Sequence, residues 1–156
     1  METCLIKTQL GITKIVADKY GISEISVLND GIISTEIPEN LQEATKQILE
    51  YFDGKRKNFT FQINPKGTAF QQKVWKELIN IPFGKTISYL DLAKKLGDQK
   101  VIRAAASANG KNPLWIVIPC HRVIGTDGSL TGYAGGLWRK KWLLEHENPT
   151  NQQCLF

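Results

Sequence analysis

Ser88-Tyr89-Leu90-Asp91-Leu92-Ala93-Lys94-Lys95-Leu96-Gly97-Asp98-Gln99-Lys100-Val101-Ile102-Arg103-Ala104-Ala105-Ala106-Ser107-Ala108-Asn109-Gly110 reads as two short helices about one turn. Ser88 followed by Asp91 fits a weak capping box, in which side chain and backbone satisfy each other's free N–H groups. Gly97 stops the first helix and Asp98 can cap the second. Asn109 and Gly110, which tolerate the left-handed conformation, are expected to close it. Two such helices in a basic region predict a helix-turn-helix-like unit. That signal alone names no ligand, because many helical hairpins bind nothing. The Arg103-Ala104-Ala105-Ala106-Ser107-Ala108 run suits either close helix packing or the close approach of a backbone or groove.

Upstream of this pair, Thr68-Ala69-Phe70-Gln71 fits another capping box. Phe70, Val74 and Leu78 recur at helical spacing behind it. Ile81-Pro82-Phe83-Gly84-Lys85 reads as a loop. Residues 1–65 have a different period. Leu5–Lys7, Thr13–Ala17 and Gly21–Leu28 read as strands rich in β-branched residues, punctuated by Gly11, Gly21 and Asn29-Asp30-Gly31. Asn40–Phe52 reads as a helix ended by Gly54, and Phe59–Ile63 as a last short strand. Downstream, Val123-Ile124 is a short strand before a turn. Tyr133-Ala134-Gly135-Gly136 is a small-residue loop. Leu137 to about His146 is a final helix with Trp138 and Trp142 expected in packing. The expected class is α/β (α+β), with a scaffold lobe at 1–65 and a mainly helical domain at 66–156.

The chain has 156 residues, 42% of them hydrophobic and 22% charged, a globular balance. No apolar run approaches a membrane span, and the N-terminus lacks a basic region followed by an apolar block, so no signal peptide is expected. Residues 1–65 carry seven Lys/Arg against nine Asp/Glu, and residues 66–147 carry thirteen against six. The second part would therefore attract a polyanion, unless its charge is only a solvated face. Cys4, Cys120 and Cys154 are an odd, widely spaced set with no C-x-x-C pair, and there are two histidines. A disulfide framework and a metal site are not expected, and a reducing cytoplasm fits. Cys4 reads as core and Cys154 as incidental.

Ile118-Pro119-Cys120-His121-Arg122-Val123 places a thiol beside an imidazole and a guanidinium on a turn begun by proline. Cysteine attacks as the thiolate, and a neighbouring base or cation lowers its pKa. Pro119 fixes its own φ and biases Ile118 toward extended backbone. By itself a Cys-His pair is usually a small buried thiol next to an ordinary histidine, because free cysteine packs well in cores.

In their order these segments resemble the O6-alkylguanine-DNA alkyltransferase family, also called methylated-DNA–protein-cysteine methyltransferase. The carriers are Gly67–Trp75, Ile81–Gly84, Ser88-Tyr89, Arg103-Ala104, Asn112-Pro113, Pro119–Val123, Gly132–Leu137 and Trp142–Glu147. Residues 66–147 match strongly and residues 1–65 only in architecture, which the family makes ribonuclease H-like. The resemblance implies repair by one stoichiometric transfer. Cys120 takes the alkyl group of O6-alkylguanine in double-stranded DNA, with O4-alkylthymine left open, and keeps it as a thioether. No cofactor or metal is implied. The nucleotide would be flipped out from the minor groove. By position His121 is the base acting through water, Glu147 orients it, Asn112 braces the turn, and Tyr89 helps rotate the nucleotide and donates toward the base. Arg103 fills the gap in the stack, and Ala104 and Ser107 lie on the same DNA-facing helix. Val123, Tyr133 and Ala134 form the pocket wall. Trp115 stands on the rim where a smaller residue, often proline, is usual, and Ala134 where some relatives have serine. The implied protein is a cytoplasmic monomer without a membrane partner; cooperative binding along DNA is left open. A non-enzymatic lesion sensor of the same fold would lack the cysteine. A cysteine hydrolase would need an oxyanion hole and a turnover route. A helix-turn-helix regulator would ignore lesions.

Overall fold

The structure is a computed structural model that describes residues 1–130, 133 and 135–149. The chain forms two compact units. One comprises Met1–Lys66 with Pro113–Trp115, the other Gly67–Asn112 with the chain from Ile116 onward. No helix among the described residues is long and apolar enough to cross a membrane.

The first unit is a helix laid on an antiparallel meander. β1 (Glu2–Thr8), β2 (Gly11–Asp18) and β3 (Gly21–Leu28) pair in chain order, with a bulge at Val16/Ala17. Cys4, Ile6 and Thr8 alternate inward along β1, as the two-residue period of a strand requires. The helix α1 (Glu39–Phe52) covers the sheet with Leu41, Ala44, Ile48, Tyr51 and Phe52. Cys4 is core, its Sγ 3.7 Å from Thr45 Oγ1. The turn into β3 needs glycine: Gly21 has φ +146°, and a Cβ there would sit 2.8 Å from Gln62 O.

Phe59–Ile63, expected as a strand, is not one. Only Ile63 bridges β3, opposite Ile22. The backbone N–H of Thr60 is instead taken by the side chain of buried Gln47 on α1, at 2.9 Å. Further along β3 the bonding positions of Ile25 go to Pro113 O and the Trp115 N–H.

The second unit is mainly helical. α2 (Ala69–Ile79) starts at a complete Thr68/Gln71 capping box and buries Val74, Trp75 and Leu78. We expect Thr68→Ala to cost about 1 kcal/mol in urea unfolding, because it strips an N-terminal N–H of its partner. The Trp75 indole N–H donates to Ala108 O at 2.9 Å, tying α2 to the helix that holds Ala108. A two-residue parallel ladder joins β4 (Ile87–Ser88) to β5 (Val123–Ile124). The Ser88/Asp91 capping box then opens α3 (Tyr89–Lys95). Gly97, at φ +97°, ends it in a Schellman turn: its N–H bonds Lys94 O, and that of Asp98 bonds Ala93 O. Asp98 caps a 3₁₀ turn (Gln99–Val101) that runs into α4 (Ile102–Gly110). α3 and α4 pack together around this turn, consistent with a helix-turn-helix.

Two expectations fail here. Asn109 and Gly110 do not close α4 in a left-handed turn. Both are helical, and the end falls at Lys111 with φ −99°. The Asn109 side chain is buried and bonded to another segment, so tertiary contact overrides its preference for helix ends. The last helix, α5 (Leu137–Glu147), buries Lys140, Leu143, Leu144 and Glu147. Trp138, expected in packing, is 55% exposed, with the Arg139 guanidinium 4.4 Å from its ring centroid. Trp142 is half-buried and stacks on His146.

Candidate active site

Cys120 opens a single 3₁₀ turn (Cys120–Arg122) whose approach is tightly specified. Pro119 sits at φ −79°, ψ 64°, and the Cys120 N–H bonds Ile118 O at 2.7 Å. This is an inverse γ-turn, and the proline ring supplies its φ. The same Ile118 carbonyl accepts the Asn112 amide at 2.6 Å. The Asn109 amide reaches Cys120 O at 3.3 Å. Three residues ahead of the proline, Ile116 has φ 73°, a conformation that β-branched residues rarely adopt. The thiol is thus presented on a braced bend.

His121 is wholly buried, with Nε2 2.8 Å from Glu147 Oε2. Arg122 also grips that carboxylate: its Nε donates to Oε1 at 2.8 Å and Nη2 to Oε2 at 2.9 Å. Its Nη1 donates to Ile81 O at 2.7 Å. Burial opposes the charge on Glu147, but His121 and Arg122 outweigh it and hold the carboxyl far below its usual range. Burial pulls the His121 pKa below its ordinary value, against the upward pull of Glu147. The imidazole is therefore neutral near pH 7. With an ionised carboxylate accepting at Nε2, the proton sits on Nε2. Nδ1, buried and without a hydrogen-bond partner among the described residues, is left as the basic nitrogen.

The Cys120 thiol is pushed up by burial. The Asn112 side chain, the Lys140 charge and the Tyr133 hydroxyl draw it back down. Lys140 is itself wholly buried and donates to Val123 O at 2.6 Å. Burial lowers its pKa to about 8, with Cys120 pulling it up. Its Nζ lies 5.8 Å from the centroid of the Tyr89 ring.

Cys120, His121, Glu147, Asn112, Tyr89, Val123 and Tyr133 are therefore gathered around one turn. Arg103, Ala104 and Ser107 lie on the exposed face of α4. Its other face, with Ala105, Ala108 and Asn109, is buried. Trp115 is buried in the first unit, its ring 6.3 Å from that of Phe52 and its backbone N–H donating to Ile25 O. Ala134 lies outside the described residues, as does Cys154. Sequence reasoning passed over Asn109, Lys140 and the clamp formed by Arg122. For Lys140 a signal existed: Lys140, Leu143, Leu144 and Glu147 recur at i, i+3, i+4 and i+7, the spacing of a buried helical stripe. Among the described residues no group of three or more His, Cys, Asp and Glu side chains could hold a metal ion.

These features describe a protein with one buried thiol on a braced turn, followed directly in the chain by a buried imidazole bonded to a carboxylate. The family model "6-O-methylguanine DNA methyltransferase, DNA binding domain" matches residues 69–149, and "6-O-methylguanine DNA methyltransferase, ribonuclease-like domain" matches residues 3–65. A methylated-DNA–protein-cysteine methyltransferase of Methanosarcina barkeri is 41% identical over 150 residues, 92% of this chain and 94% of the relative. The crystal structure of Mycobacterium tuberculosis O6-methylguanine methyltransferase superposes with a TM-score of 0.85 at 37% identity, covering 95% of this chain and 93% of that one. A structure of the M. tuberculosis protein in complex with DNA matches with a TM-score of 0.83 at 36% identity, covering 97% and 92%. The chain belongs to the methylated-DNA–protein-cysteine methyltransferase family.

Proposed function

We propose that the protein repairs double-stranded DNA by moving an alkyl group from O6-alkylguanine onto Cys120, once per molecule. The observation that carries this reading is the His121–Glu147 bond, which leaves Nδ1 as the basic nitrogen of the residue that follows a braced cysteine. The reaction balances without a cofactor. The Cys120 proton passes to His121 through a water. Sγ attacks the alkyl carbon as the C–O6 bond breaks, and the guanine departs with its electron pair. A proton returned to the base completes it. A saturated carbon suits a soft sulfur nucleophile, and the thioether formed gives no route back.

The other roles follow from position and exposure. Tyr89, whose ring lies over Lys140, donates a proton toward the leaving base. Val123 and Tyr133 wall the base pocket, and Asn112 keeps the thiol aimed. Arg103 enters the duplex from the exposed face of α4, where Ala104 and Ser107 let the groove come close. Such contacts read backbone and shape more than sequence. The protein acts as a monomer in the cytoplasm.

The test is the mass of the protein after mixing with duplex DNA carrying one O6-methylguanine. One methyl group per molecule, on the peptide holding Cys120 and absent from Cys120→Ser, is the expected result. Lesion-selective binding without a mass gain would mean a sensor of the same fold.

A further inference from the structure

We propose that Arg122 takes the place of a proton in the buried His121–Glu147 pair, a positioning residue whose charge keeps Nδ1 of His121 free to accept. This rests on the reading of Cys120 as the alkyl acceptor with His121 as its base, and adds what holds that base in its working form.

The geometry is a carboxylate shared between two donors. Glu147 Oε2 lies 2.8 Å from His121 Nε2 and 2.9 Å from Arg122 Nη2, while Oε1 takes Arg122 Nε at 2.8 Å. The third nitrogen of the guanidinium is held by Ile81 O at 2.7 Å, and the Phe83 ring centroid lies 5.8 Å from its Cζ. The His121 side chain is 0% exposed and that of Glu147 1%. Solvent cannot balance such a carboxylate, so its charge has to be met from inside. Arginine keeps its proton in proteins, and Arg122 therefore meets that charge at every pH.

The three side chains sum to zero charge with the imidazole neutral. Without the guanidinium, the remaining pair reaches zero only by binding one more proton. On the imidazole, that proton makes an imidazolium, whose Nδ1 carries hydrogen. On the carboxyl, it turns Glu147 into a donor toward Nε2, and the ring hydrogen moves to Nδ1. In both cases the nitrogen that has no hydrogen-bond partner among the described residues stops being a base. The groups around His121 act in this sense. Burial lowers its pKa, Glu147 from α5 raises it, and Arg122 from the same turn and Lys140 from α5 lower it. Cys120 is its titratable neighbour within the turn. α2, packed on the same turn, buries Val74, Trp75 and Leu78, none of them charged.

In Arg122→Met, the ring nitrogens of His121 are followed against pH by NMR, with His146, the other histidine of the chain, as internal reference. We expect the pH at which Nδ1 takes its proton to rise by about 1–3 units, the span associated with one nearby charge. The acid limb of single-turnover methyl transfer should move up with it, so that rate lost at neutral pH returns in alkali. Arg122→Lys keeps the charge and should hold the midpoint near that of the native protein. An unchanged midpoint in Arg122→Met overturns the proposal. So does a midpoint as high in Arg122→Lys as in Arg122→Met, since packing rather than charge would then set it. Should Arg122→Met not fold, a hydrogen on Nδ1 of the native protein at neutral pH overturns the proposal by itself. If the native protein takes no methyl group from an O6-methylguanine duplex, the acceptor reading fails, whatever Nδ1 does. If it takes one while the acid limb and the Nδ1 midpoint are the same in Arg122→Met, the role given to Arg122 fails alone.

Discussion

Glu147→Ala should lower the stability of the protein by about 3–5 kcal/mol, the usual cost of leaving a buried charge without its partner. Glu147 is 7% exposed, and its carboxylate receives two hydrogen bonds from the Arg122 guanidinium and one from His121. Its removal strands Arg122, which is 6% exposed and cannot turn to solvent. Urea unfolding at neutral pH measures the loss. The paired change Arg122→Met with Glu147→Leu should recover most of it, since a well-packed apolar pair is often as stable as a buried ionic one. The same pair makes the native protein acid-sensitive. Glu147 has a depressed folded pKa, so its contribution is full above the unfolded value of about 4.3 and is lost as pH falls below it. His121 is also depressed, so the unfolded chain takes up a proton first and stability begins to fall below about pH 6.5. A rise in stability on acidification would contradict both assignments.

His121→Gln should slow methyl transfer by about 10²–10⁴-fold, the range associated with loss of a general base. Glutamine can still donate an amide proton toward Glu147, so the anchor survives. What disappears is the basic Nδ1. Single-turnover rates with an O6-methylguanine duplex should show it, with Cys120 still methylated at long times. Burial holds the His121 pKa below its ordinary value. The acid limb of the native rate profile should therefore lie below about pH 6.5, and it should be absent from the variant. An unchanged rate would remove His121 from the proton path.

What could be read in the chain was whatever depends on near neighbours. The Thr68 and Ser88 capping boxes and the Gly97 stop are set by residues within one helical turn, and each forms as its spacing predicts. The thiol, imidazole and guanidinium sit in one tripeptide. The partnership of His121 with Glu147 spans 26 positions. No local pattern encodes it, and it entered through the resemblance alone. Asn109 and Phe59–Ile63 mislead for the opposite reason. Their local preferences are ordinary, but the Cys120 carbonyl and the Gln47 side chain claim the groups that would have expressed them. Trp138 was assigned to packing on its size, yet α5 buries a lysine and a glutamate instead. A helical stripe with charged ends is easily taken for a solvated face, and here it marks the site.

The bare outer face of α4 bears on how such a protein would find damage. Beyond Arg103, that face offers only the short side chains of Ala104 and Ser107, then Gly110, so it has little to grip on a base edge. Attraction to ordinary duplex would then come mainly from phosphates and lysines, weakening steeply as salt rises and allowing movement along the strand. Each molecule acts once. The capacity of a cell to clear lesions would be set by its number of copies, and the time to clear them by how quickly those copies scan undamaged DNA.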